Sequence, residues 1–169
     1  VIDQRYPRAG RPNAVVDLFV RDLETGEAVE VNWRREDWGP ATDQYLARVN
    51  WEQRTPSAYQ SSGGPGSGFP DVMTTLIVQR VDRDQQILDR AFYRVISDPA
   101  LSIGEPFRTL EETSDTWINL SNDDRQLFQD TLFTSEKTGY RHIYRTTGAE
   151  VGVFPITEGD WVVSSVVYA

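Results

Sequence analysis

Ser135–Trp161 reads SEKTGYRHIYRTTGAEVGVFPITEGDW, and its rhythm decides the fold. Lys137-Thr138-Gly139 is a turn signal, and Tyr140–Thr147 alternates aromatic and β-branched residues with polar ones. Gly148 marks a second turn, Val151–Thr157 a second strand-like run, and Glu158-Gly159-Asp160-Trp161 closes the unit. Period-two alternation between glycine turns is the pattern of antiparallel strands, whose successive side chains face opposite sides of a sheet.

Working outward, the same pattern recurs. Upstream of this stretch, Thr116–Leu120 (TWINL) and Arg125–Glu136 (RQLFQDTLFTSE) read as two strands. Before them come Tyr45–Trp51 (YLARVNW), Thr74–Asp82 (TTLIVQRVD), a turn at Arg83–Gln86, Ile87–Ile96 (ILDRAFYRVI) and Phe107–Glu112 (FRTLEE). Ile87–Ile96 has some helical period, but its Phe, Tyr, Val and Ile content favours a strand. Near the start, Ala14–Asp22 turns at Glu24-Thr25-Gly26 and returns through Ala28–Asn32 as a hairpin. No segment combines amphipathic helical period with caps at both ends, so the class is all-β.

The strands group in fours. Residues 45–112 hold one set and 116–158 a second; 161–169 begins a third, and 1–32 holds an arm and the end of an earlier one. Each set runs into an acidic, polar stretch before a Trp, as in EETSDTW and TEGDW. A four-stranded unit recurring in fixed order is the signature of a β-propeller blade. The expectation is a partial propeller: two complete antiparallel blades and two partial ones, against the roughly four or more that a closed ring needs. Such a piece leaves apolar faces at its ends, which predicts self-association. Two loops interrupt the pattern, Asp98–Pro106 and the Gly/Pro/Ser-rich Ser61–Pro70. The second is either a substrate or partner loop or, more plainly, a tolerated surface insertion.

Composition narrows the function. The 169 residues carry 17 Lys and Arg against 26 Asp and Glu, a formal charge of −9, which repels phosphate backbones and anionic membranes. No nucleic-acid partner is expected, and no apolar run is long enough to span a membrane. There is no cysteine, hence no disulfide, thiolate metal site or cysteine nucleophile. The compartment stays open, with a periplasmic or secreted place preferred to a cytoplasmic one. The chain starts at Val1 without Met, which leads to the expectation of a processed or excised piece.

The chemistry-bearing residues are few. His142 is the only histidine, and no Gly-x-Ser-x-Gly elbow is present, so a Ser/His/Asp set has no base and no presented nucleophile. A strand-end structural role is the plain reading of His142. One imidazole without thiols also makes a transition-metal site unsupported. Acidic pairs occur at Glu111-Glu112, Asp123-Asp124 and Glu158/Asp160. They have the chemistry for glycoside hydrolysis or calcium, but solvated turns account for them more simply, Asp123-Asp124 above all. Asn119-Leu120-Ser121 fits the N-glycosylation pattern without further support. No catalytic residue, cofactor or metal is expected within the chain.

Six stretches together carry a family resemblance: QRYPRAGRPN (Gln4–Asn13), YLARVNW, LIVQRVDRDQQ (Leu76–Gln86), LEETSDTWINL (Leu110–Leu120), SEKTGYRHIY (Ser135–Tyr144) and TEGDWVV (Thr157–Val163). In this order they resemble the propeller domain of dipeptidyl peptidase IV, bacterial type, in the prolyl oligopeptidase group of serine peptidases. The resemblance implies an eight-bladed N-terminal propeller that roofs a C-terminal α/β-hydrolase domain, in an enzyme that removes X-Pro or X-Ala dipeptides from free N-termini. It places the family's ammonium-gripping acidic pair before Val1 and its catalytic Ser, Asp and His beyond Ala169. It also implies that Tyr6, Pro7 and Arg8 belong to an arm that builds a homo-oligomer. The expected partners are therefore the hydrolase domain, peptide substrates and a second copy. Two departures stand out: Ser121 replaces the His usual after Trp-x-Asn-Leu in bacterial relatives, and no Arg beside Trp117 matches the substrate-contacting Arg of animal members. The alternative is a stand-alone β-rich module that binds peptides or glycans.

Overall fold

The hairpin of β4 (Met73–Asp82) and β5 (Ile87–Ile96) is the centre of the molecule, and its turn shows how local sequence sets register. Asp82 Oδ1 accepts the backbone N–H of Gln86 at 2.9 Å and of Ile87 at 2.8 Å, while Gln85 takes a positive φ of 58° between them. The flanking runs are β-branched and aromatic, so they extend as β4 (Met73–Asp82) and β5 (Ile87–Ile96) in antiparallel register from Val81↔Leu88 to Thr74↔Val95. A second turn is built the same way: Asp22 Oδ1 accepts from Glu24 and Thr25, and Gly26 supplies the left-handed φ of 77°. That turn joins β1 (Leu18–Arg21) to β2 (Ala28–Val31).

A computed structural model of the protein describes residues 11–54, 73–127, 130–146 and 152–167. Tyr6, Pro7, Arg8 and the Ser61–Pro70 stretch lie outside the described residues. The described part is all-β, a partial β-propeller built from antiparallel sheets, with two single 3-10 turns at Glu36–Trp38 and Ala41–Asp43. β1 and β2 form a two-stranded sheet. β3 (Gln44–Arg54), β4, β5, β6 (Ser102–Ile103) and β7 (Arg108–Thr113) form a five-stranded one, in which β6 and β7 share the outer edge of β5. β8 (Arg125–Leu127), β9 (Asp130–Ser135), β10 (His142–Thr146) and β11 (Val153–Pro155) form a four-stranded sheet in sequential order.

Four details differ from the sequence reading. Thr116–Leu120 is not a strand: Ile118 donates its N–H to the Gln85 carbonyl of the β4–β5 turn and tucks its side chain against Val81 and Leu88. Burial of alternate residues produced the strand-like pattern without any ladder. The run Arg125–Glu136 splits into β8 and β9, which pair with each other. Within the expected loop Asp98–Pro106, Ser102–Ile103 pairs with Val95–Ile96 as β6. Residues 161–167 carry no strand, although Val163 donates its N–H to the Arg141 carbonyl at 2.8 Å.

Burial explains why the five-stranded sheet holds the middle. β4 is buried without a break from Thr75 to Val81, and β5 from Leu88 to Tyr93. An antiparallel strand buried on both pleats has a packed layer on each face. On one face Leu76, Val78, Ala91 and Tyr93 pack with Val20, Val31 and Trp33. Trp33 is 1% exposed and donates its indole N–H to the Val16 carbonyl at 3.1 Å, so even its polar handle is satisfied. The opposite face meets Ile118 and the four-stranded sheet.

Candidate functional site

Adjacent residues of one strand point to opposite faces, and Asp89 and Arg90 of β5 use this to build two ionic clusters. On the Trp33 face, Arg80 grips Asp89 through Nε at 2.8 Å and Nη2 at 2.7 Å, both on the single oxygen Oδ2 of a fully buried carboxylate. Arg80 also donates to the Trp33 carbonyl, which ties the sheet to the segment after β2. Arg35 extends the cluster to Asp37 and Glu111, with Asp89 at 3.8 Å.

On the other face, Arg90 reaches Glu112 of β7 at 3.2 Å and Asp124, just before β8, at 3.3 Å. Its guanidinium lies 4.8 Å from the centre of the Phe133 ring of β9, and Nη2 is 3.5 Å from the Thr134 carbonyl. Gln79 of β4 donates to Asp124 at 2.7 Å, and Ser135 of β9 donates its hydroxyl to Glu112. Burial pushes the Asp124 carboxyl above its ordinary range, with Arg90 and Gln79 pulling the other way. Two acidic pairs read as solvated turns therefore divide. Asp123 caps a turn with Ser121, as expected, whereas the Asp124 side chain is 3% exposed and belongs to the ionic seam. Glu112 is likewise drawn inward, while Glu111 stays half-exposed on Arg35.

The loop end of the four-stranded sheet holds a hollow of about 320 Å³ between the β9–β10 turn and residues 155–160. His142, the first residue of β10, stands in its wall. Its Nε2 lies 2.8 Å from the Gly159 carbonyl, so Nε2 carries the proton. Its Nδ1 lies 3.1 Å from Thr157 Oγ1, which itself accepts the Ile143 N–H at 3.0 Å and so turns its own hydrogen to Nδ1. Trp161 packs edge-on against the imidazole at 5.2 Å. Both ring nitrogens are thus committed and the residue is 2% exposed, which leaves His142 no lone pair for general-base work. Its role is to clasp the 157–161 segment onto β10.

Glu158 and Asp160 line the same hollow as Tyr140 and Tyr144, and the Lys137 ammonium lies 4.1 Å from the Tyr144 ring centre. Asn119, the glycosylation candidate, is exposed and donates its amide to Glu136 at 2.6 Å. Among the described residues, no group of three or more His, Cys, Asp or Glu is placed to hold a metal ion. The exposed apolar side chains Phe154, Ile156, Trp161 and Val162 run along β11 and the segment after it. The sequence reading passed over Arg90 and took Asp124 for part of a solvated turn, since their meeting depends on how the sheets pack rather than on any local pattern.

Comparison with known proteins agrees with this architecture. The family model described as the dipeptidyl peptidase IV (DPP IV) N-terminal region matches residues 1–169. The crystal structure of a candidate dipeptidyl aminopeptidase IV from Bacteroides ovatus superposes with a TM-score of 0.61 at 21% identity, covering 96% of this chain and 22% of that one. At this identity the likeness speaks for the fold, and the chain spans 22% of the length of that protein.

Proposed function

The chain belongs to the dipeptidyl peptidase IV N-terminal region family, and we propose that it is the non-catalytic propeller portion of a serine-type dipeptidyl peptidase. The match over the whole chain carries this reading. The state of His142 supports it: the only imidazole in the sequence is locked between Thr157 and Gly159, so acyl transfer needs a base from elsewhere. In this reading the five- and four-stranded sheets are successive blades, and the two-stranded sheet is the end of an earlier one. The reactive Ser, Asp and His belong to an α/β-hydrolase domain of the same polypeptide.

The propeller's part is physical. A rigid toroid over a hydrolase site limits which peptides reach it and holds an N-terminus in place, and orientation of this kind is worth several powers of ten in rate. The chain's charge of −9 favours peptides that bring a free ammonium. The arm containing Tyr6, Pro7 and Arg8 supports homo-oligomer formation, and light scattering on Tyr6→Ala and Arg8→Ala variants checks that role by a fall in molar mass. The activity reading is tested with chromogenic Ala-Pro and Gly-Pro substrates. The intact protein is expected to turn both over, and the isolated 169-residue chain neither. Turnover by the isolated chain above a buffer blank would overturn it.

A further inference from the structure

Opposite charges flank the hollow beside His142 without meeting. The β9–β10 turn contributes Lys137, the only lysine in the sequence, and the segment after β11 contributes Glu158 and Asp160. All three line one hollow of about 320 Å³, yet among the described residues the Lys137 ammonium forms an ion pair with neither carboxylate. We propose that this hollow binds a short peptide with both termini free, its carboxylate on Lys137 and its ammonium on Glu158 and Asp160. The inference stands on the hollow alone and does not depend on the peptidase reading.

Both walls are held in place by bonds that leave these charges unused. His142 meets Thr157 Oγ1 at 3.1 Å and the Gly159 carbonyl at 2.8 Å, so the residues on either side of Glu158 are tied to β10. Trp161 packs on the imidazole and Val163 donates its N–H to the Arg141 carbonyl at 2.8 Å, which fixes the chain beyond Asp160. In the opposite wall Gly139 donates its N–H to the Glu136 carbonyl at 2.8 Å, and Lys137 its own to Ser135 Oγ at 3.2 Å. The Lys137 ammonium lies 4.1 Å from the centre of the Tyr144 ring, a contact that steadies the charge and supplies no oxygen acceptor. Glu158 and Asp160 accept no hydrogen bond from a described residue. Charges that fixed walls keep from pairing are preorganised for a ligand bearing the complementary two, which lowers the ordering cost of binding.

Charge and size narrow the ligand. A simple anion is repelled by the two carboxylates and a simple cation by the ammonium, whereas a zwitterion satisfies both walls. An extended dipeptide spans about 7 Å at 3.3–3.6 Å per residue, and a cube of 320 Å³ has an edge of about the same length. A free amino acid, with both charges on one carbon, does not reach from wall to wall. Tyr140, 41% exposed, and Pro155 supply apolar surface for the peptide's side chains.

Equilibrium dialysis tests the hollow on the intact protein that carries this chain, treated with a fluorophosphonate so that no serine-hydrolase site competes. The probes are Ala-Ala, N-acetyl-Ala-Ala and Ala-Ala amide. Wild type is expected to retain Ala-Ala, and capping either terminus to weaken it about tenfold, the order of one hydrogen bond to a charged group. Lys137→Met should weaken Ala-Ala by a similar factor and leave the amide unchanged. The double variant Glu158→Gln, Asp160→Asn should weaken Ala-Ala likewise and leave the N-acetyl peptide unchanged. No retention of Ala-Ala, equal retention of the three probes by wild type, or variants that hold Ala-Ala as wild type does would each overturn the proposal. Should a variant fail to fold, the three probes on wild type decide alone.

Discussion

The guanidinium of Arg90 on β5 stacks on the ring of Phe133 on β9, 4.8 Å from its centre, and so joins the two larger sheets. The contact is polar and apolar at once, since Arg90 also holds Glu112 and Asp124 out of water. Removing the cation strands two buried carboxylates. Arg90→Met is therefore expected to cost about 3–5 kcal/mol, the usual penalty for breaking a buried pair. Adding Glu112→Gln and Asp124→Asn to it should return much of that loss. Denaturant unfolding of the single and triple variants measures both.

Tyr93 gives an alkaline counterpart. Burial pushes its phenol up to about 12, with Arg80 opposing, and its hydroxyl donates to the Asn32 carbonyl at 3.1 Å. The folded value lies above the ordinary 10.0, so the stabilising contribution is intact below pH 10 and is lost as the pH rises through 12. Tyr93→Phe is expected to cost about 1 kcal/mol near neutrality, the net value of one hydrogen bond. It should also flatten the fall in stability between pH 10 and 12. Unfolding midpoints measured across that range check the two effects separately.

The His142 clasp depends on Thr157, whose hydroxyl serves both the imidazole and the Ile143 N–H. Thr157→Val keeps the shape and leaves a backbone donor without its acceptor, a loss of about 1–3 kcal/mol. Thr157→Ser should retain most of the stability. Trp161, packed edge-on against His142, is the nearest of five tryptophans to report the change by fluorescence.

Gly159 is required for both backbone and space. Its φ is 124°, and a Cβ there would stand 2.7 Å from the Trp161 indole nitrogen. Gly159→Ala should therefore displace Trp161 and lengthen the bond from His142 to the Gly159 carbonyl. Nitrogen-15 spectra of the single histidine in this chain would show that as a shift of the Nε2 resonance.

Much of the sheet structure was legible in the sequence because strands carry their signal locally. Ile87–Ile96 matches β5 from end to end, and Thr74–Asp82 matches all but the first residue of β4. The Lys137–Gly139 turn and the structural role of His142 were legible for the same reason. Thr116–Leu120 misled because Ile118 is buried by packing on the β4–β5 turn rather than by pairing. The ionic seam was not legible, since Asp123-Asp124 looks alike in a solvated turn and in a sheet-to-sheet contact. Only the register that carries Arg90 past Gln79 separates them.

The account rests on the reactive serine lying elsewhere in the polypeptide, and a fluorophosphonate that labels activated serines tests this most directly. Peptide mapping of the labelled intact protein should recover the adduct from outside residues 1–169 and leave every serine within them unmodified. An adduct on a serine of this chain would contradict the assignment.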